Sequence, residues 1–199
     1  MSIAQCAAAA ILVFPDAAVA TTDGSLPLPV VMVAIAGSES IGWNNQAAGD
    51  AGLDPQYGLC GGYSSWGLWQ IHNVHAAYLE GVTGSTDPCA WATWLYDPVH
   101  CAQAALAVYQ GQGLGAWSSY TDGGWQANIG AAQQAVAAVR GAVGSGAGGV
   151  VGLPTVAPAV PLAAGIALVV GAVVAVELGA VEAVRSWARL RQERRAVAR

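Results

Sequence analysis

The feature that most narrows what this chain can build is the segregation of its charges. It has 199 residues, seven arginines and no lysine. Residues 185–199 contain Arg185, Arg189, Arg191, Arg194, Arg195 and Arg199 against Glu193, a net +5, whereas residues 1–184 carry Arg140 against 11 acids, a net −10. A body with a single arginine cannot displace counterions along a phosphate backbone, so nucleic acid is not an expected partner. With 55% hydrophobic and 10% charged residues, the body must instead close a core.

The charge map also divides the chain. Between Pro161 and Glu177 runs LAAGIALVVGAVVAV, and extended through Val184 it reaches the length of a membrane helix. Gly165, Gly171 and Gly179 suit close helix packing, and the arginines that follow read as a cytoplasmic anchor. Upstream, GAVGSGAGGVVGLPTVAPAVP has a linker's composition. The expected organisation is a domain over 1–140, a Gly/Pro linker over 141–161, a transmembrane helix over 162–184 and an Arg-rich tail over 185–199. A buried or inter-subunit helix is the alternative for 162–184, because Glu177 needs a partner in lipid.

At the other end, Ala18-Val19-Ala20 follows an apolar run, as before a signal-peptidase site. No positive residue precedes that run, so a retained first helix is expected. Cys6, Cys60, Cys89 and Cys101 allow three complete pairings. Cys89 with Cys101 is the expected bridge, closing a short loop in an outward-facing domain; four buried free thiols is the alternative.

Helices are predicted over 26–38, within HAAYLE, over 88–95 and 98–111 behind the Asp87-Pro88 and Asp97-Pro98 caps, and over 128–140, ending before Gly141. Residues 42–65 are rich in turn formers and are expected to form loops or at most a short hairpin, and no segment alternates like a sheet. The fold class is therefore mainly α.

Within this frame one acid stands out. Glu39 closes an otherwise uncharged stretch from Leu26 to Ile41. A carboxyl held by an apolar helix against Trp side chains resists ionisation, and a retained proton is what a general acid needs. Trp43, Trp66, Trp69, Trp91, Trp94, Trp117 and Trp125 share a domain with a single Phe, a composition suited to stacking sugar rings, although about half are expected in the core. Gln70 lies in an apolar hexapeptide, where its amide could serve sugar hydroxyls or backbone groups.

Five segments in order, IAQCAAAA, AIAGSES, YSSWGLWQIH, LYDPVHCAQAALAVY and GAWSSY, resemble the lysozyme-like superfamily over roughly residues 3–125. The resemblance is to soluble lytic transglycosylase domains and their relatives in phage and actinobacterial cell-wall proteins. It implies a lysozyme-like helical domain and cleavage of the β-1,4 bond between N-acetylmuramic acid and N-acetylglucosamine in peptidoglycan, with Glu39 as acid then base. It further implies substrate contacts at Gln70, Tyr120, Ser65 and Trp69, with Trp69 where the family often carries Met. The segment GDAGLDPQYGLCGG is longer than the family leads one to expect. One acid suffices for a lytic transglycosylase, whereas a hydrolase needs a second; Asp50, Asp54 and Asp122 are the available partners, each also a turn former. The expected partners are glycan strands, the membrane through 162–184, and phage-tail or membrane assemblies, with the domain facing the cell wall or carried in a phage particle.

Other chemistries fit less well. His72 and His75 share helical spacing without a third ligand, so no metal is expected, and no cofactor motif occurs. Ser64 and Ser65 lack a Gly-x-Ser-x-Gly frame. A glycan-binding scaffold without catalysis and a membrane-active C-terminal helix are the competing functional readings.

Overall fold

The computed structural model describes residues 1–21 and 24–144. The expected linker beyond Gly144, the span over 162–184 and the Arg-rich tail lie outside the described residues. Among those described, no helix is long and apolar enough to cross a membrane.

The fold is mainly α and is organised around one helix. α2 (Leu28–Glu39) is buried from Leu28 through Gly37, because LPVVMVAIAG offers no polar face to water. A helix apolar all round must be enclosed, and here α1 (Ile3–Val13), α7 (Ile129–Gly144) and the 3-10 turn Gly124–Asn128 pack on it. α1 starts from a reciprocal cap in which the Ser2 hydroxyl accepts from the Gln5 amide and the Gln5 side chain accepts from the Ser2 amide at 3.0 Å. Its buried face, Cys6, Ala7, Ala9 and Ala10, is made of small side chains that let neighbours approach closely. One such neighbour is α5 (Pro98–Gln112), which buries Cys101, Ala102, Ala104, Ala105 and Val108.

The two Asp-Pro signals work as predicted. Asp87 accepts from the Cys89 amide at 2.9 Å at the head of α4 (Pro88–Leu95). Asp97 accepts from Val99 and His100 at 2.9 and 3.0 Å at the head of α5. HAAYLE enters α3 (Ala76–Thr83), and α6 (Ser118–Thr121) is a single short turn of helix. α7 runs through Gly141 to Gly144, past its predicted end. An isolated glycine costs a helix only about 1 kcal/mol, which packing on α1 and α2 offsets.

Sheet structure goes beyond the short hairpin allowed for residues 42–65. β1 (Ala18–Thr21) and β2 (Gly24–Pro27) form an antiparallel hairpin, with Ala18 opposite Pro27, that feeds directly into α2. The Ala18-Val19-Ala20 pattern thus lies in a strand. β3 (Ala48–Gly49), β4 (Ser65–Trp66) and β5 (Ile71–His72) form a second antiparallel sheet. Two-residue strands are too short to show an alternating pattern, so periodicity missed them.

The disulfide also differs from expectation. Cys60 pairs with Cys89, their Cα atoms 4.8 Å apart, and Cys101 is free and buried with Cys6. Nearness in sequence was the wrong guide, because α5 turns Cys101 into the core while Cys89 sits exposed at the start of α4, facing the loop. Gly67 makes room for that thiol: a Cβ there would lie 2.7 Å from the Cys101 sulfur.

Candidate active site

α2 surfaces at its last turn, where the sequence changes from apolar to Ser38-Glu39-Ser40. Ser40 closes the helix twice over, its amide donating to the Ala36 carbonyl at 3.0 Å and its hydroxyl to the same oxygen at 2.6 Å. Glu39 is partly buried, and its Oε1 accepts from the Ser119 amide at 3.2 Å, across 80 residues of chain. Beside it, Asn128 donates to the Ser38 hydroxyl at 3.0 Å and to the Ala34 carbonyl at 3.3 Å. Tyr120, next in sequence to Ser119, stacks on Trp125 with centroids 5.2 Å apart.

Tryptophans fix these elements. Trp43 and Trp69 donate from their indole nitrogens to the α2 carbonyls of Val33 (2.9 Å) and Met32 (2.8 Å). Trp117 donates to the Trp69 carbonyl at 2.9 Å, holding the segment that carries Ser119. Gly37 lets Trp43 lie flat on α2, since a Cβ there would meet its ring at 2.8 Å. Trp66, Trp69, Trp91, Trp117 and Trp125 are buried, so the tryptophans of this domain are mainly scaffold, beyond the half expected in the core.

The predicted site residues therefore separate. Tyr120 neighbours Ser119, which holds Glu39. Trp69 is wholly buried, with its N–H committed to Met32, so it has no face to offer a sugar. Ser65 is also wholly buried, its hydroxyl donating to the Asp50 carboxylate. Gln70 adopts a positive φ of 47°, and its amide nitrogen donates to the carbonyls of Ala47 (3.2 Å) and Gly67 (2.8 Å). Both of its amide hydrogens thus close a turn, leaving the oxygen, packed against Gly49, as its remaining polar atom.

Of the three further acids, Asp50 and Asp54 both sit in the left-handed region and are engaged within the segment from Ile41 to His72. Asp54 accepts from Gln56 at 2.9 Å and lies 3.9 Å from His72 Nε2. Asp122 accepts from the Gly124 amide at 2.8 Å. A Cβ on Gly124 would lie 3.2 Å from the Asp122 carboxylate and 3.9 Å from the Ser38 hydroxyl, which places Asp122 near the end of α2.

A second polar cluster surrounds His72. Its Nε2 lies 3.4 Å from the Ser64 hydroxyl, while its Nδ1 accepts from the Val74 amide at 3.3 Å. Nδ1 is thus the acceptor, so neutral His72 carries its proton on Nε2 and cannot take one from Ser64. Burial, then the neighbouring His72, pushes His75 down to about 4, so it is neutral at pH 7. Burial likewise pushes the Cys101 thiol up to about 12 and raises that of Cys6, which keeps both unreactive. Among the described residues, no group of three or more His, Cys, Asp or Glu could hold a metal ion. A surface groove of about 540 Å³ lies between α3 and α4, lined by Val82, Asp87, Thr93 and Trp94 among others; none of Glu39, Ser65, Trp69, Gln70 and Tyr120 lines it.

Compared with known proteins, the chain matches no family model, no curated protein and no solved structure. The site rests on its own geometry. Sequence reasoning passed over Ser119 and Asn128. Ser119 stands inside the quoted GAWSSY segment, but it serves Glu39 through its backbone amide, which no side-chain motif reveals.

Proposed function

We propose that this protein is a peptidoglycan-degrading enzyme of the lytic transglycosylase kind, using Glu39 as general acid and then general base. The observation that carries the reading is the Glu39–Ser119 bond of 3.2 Å. It holds a partly buried carboxyl where an apolar helix reaches the surface, next to an aromatic pair. In the proposed reaction the Glu39 carboxyl gives its proton to the O4 leaving group of N-acetylglucosamine as the C1–O4 bond breaks. The 6-hydroxyl oxygen of the muramic acid sugar then bonds to C1, and its proton returns to Glu39.

The single-acid course is favoured because Asp50 and Asp54 are tied within their own loop, while Asp122 is exposed and engaged with Gly124. The lysozyme-like fold belongs to this reading, on the strength of the motif order. So do the membrane anchor over 162–184 and placement facing the cell wall, or in a phage particle.

The test compares the full chain with its Glu39→Gln variant on purified insoluble peptidoglycan, with products read by mass spectrometry. Loss of at least about 10²-fold in fragment release, with an unchanged circular dichroism spectrum, is expected. Equal release by both proteins removes Glu39 from the mechanism. Reducing ends without 1,6-anhydro sugars sink the single-acid course, and glycan binding without any cleavage leaves the scaffold reading.

A further inference from the structure

Ser119 presents two donors at one place. Its amide already serves Glu39 Oε1 at 3.2 Å. Its hydroxyl is buried and has no hydrogen-bond partner among the described residues. Ser119 as a whole is 8% exposed, and the hydroxyl oxygen itself is closed off from water. A buried hydroxyl left unpaired bears its full desolvation penalty, and such a group in a native fold needs an explanation. The amide's own partner supplies one. The hydroxyl shares a residue with an N–H that is already bonded to a carboxyl, and no other partner of that carboxyl is found among the described residues.

We infer that Ser119 is a positioning residue for Glu39. Its hydroxyl swings onto the carboxylate as the proton leaves, so that amide and hydroxyl together cradle the developing negative charge. An amide can only donate, and its bond is present before the reaction starts. A hydroxyl can rotate, so its bond can form when charge appears. Interactions that strengthen as charge develops raise kcat and leave KM nearly unchanged. A hydroxyl donating to an ionised oxygen is about twice as strong as a neutral pair, so the net effect of Ser119 favours the charged form of Glu39. The other titratable groups on the elements packed against α2, with the Asp122 cap of α6 included, are Cys6, Tyr120, Asp122 and Arg140. Of these, Arg140 is paired with Asp16 at 2.8 Å and Asp122 with the Gly124 amide.

This inference rests on the proposed acid–base role of Glu39, and its test separates the two. Fragment release from insoluble peptidoglycan is measured against pH for the full chain and for Ser119→Ala, Ser119→Cys and Ser119→Thr. The amide survives in all three variants, so only the hydroxyl is probed. Ser119→Ala and Ser119→Cys are expected to lose about tenfold in kcat with KM held. Their thermal midpoint should stay level or rise, because an unpaired buried group has been removed. General-acid activity is present while Glu39 is protonated. Removing a donor to the charged form raises its titration point, so the alkaline limb should move up by about one pH unit. Ser119→Thr, which keeps a hydroxyl, should restore the parent profile. Profiles that superimpose for parent and Ala variant overturn the inference while the role of Glu39 stands. A fall in kcat matched by a fall in thermal midpoint, with no movement of the limb, marks a structural residue and overturns it as well. An inactive parent protein overturns both readings.

Discussion

The helical body and the segment from Ile41 to His72 are built on different principles. In the body, α1 packs on α2, α5 on α1 and α4 on α5, and α1, α4 and α5 each start from a side-chain cap, so the local choices agree with the packing they lead to. In the loop segment, Ile41, Trp43, Asp50, Asp54 and Gln70 all adopt positive φ, a conformation that costs a non-glycine residue about 1 kcal/mol or more. Every non-glycine residue with positive φ among those described falls there. What offsets that strain is a set of distant bonds: Asn73 to the carbonyls of Asp54 and Gly58, Gln70 to Ala47, Ser65 to Asp50, and the Cys60–Cys89 bridge. A core made of local agreement tolerates small insults, whereas a loop held by scattered ties fails tie by tie.

Trp69→Ala is the severest way to challenge that division, because Trp69 belongs to the loop in sequence and to the body in space. It should cost about 4 kcal/mol, from an emptied core site and the loss of the indole bond to the Met32 carbonyl, and should unfold both regions together. If denaturation followed by circular dichroism shows the helices surviving while the loop is lost, the two regions are not joined through this indole. Replacing Cys60 and Cys89 together by Ala sharpens the contrast from the other side. The bridge spans 29 residues, and its loss should cost about 3 kcal/mol while native-state proteolysis concentrates between Gly49 and Gly62. Cuts appearing first in α1 or α7 would contradict the picture. The smallest effect is reserved for Asp97→Ala, a cap within the body, where about 1 kcal/mol should be lost in urea unfolding with the transition still single.

The same division explains what could be read from the residues alone. The Asp-Pro starts of α4 and α5 and the apolar run of α2 declare themselves, because cap chemistry and hydrophobic runs act over a few positions. The three two-residue strands do not, since they are too short to carry a period, and neither do the Cys60–Cys89 pairing and the end of α7, since these are decided by groups far away in the chain. Glu39 was conspicuous as the lone acid of its stretch, and Tyr120 entered with the motif that adjoins it. Gln70, Ser65 and Trp69 share a hexapeptide, yet the fold uses them to build a turn and a wall. Ser119 and Asn128 escaped notice because one acts through its main chain and the other reaches back 90 residues to Ser38.

The indole bonds of Trp69 and Trp117 have a geometric consequence. From Met32 the chain runs along α2 to Glu39, crosses to Ser119, steps back to Trp117, crosses again to Trp69 and returns to Met32. That itinerary is a closed polygon whose sides are either covalent chain or a hydrogen bond of known length. Each side limits how far its two corners can part, so the acid is tethered from both directions along the loop even though it stands at a helix's free end.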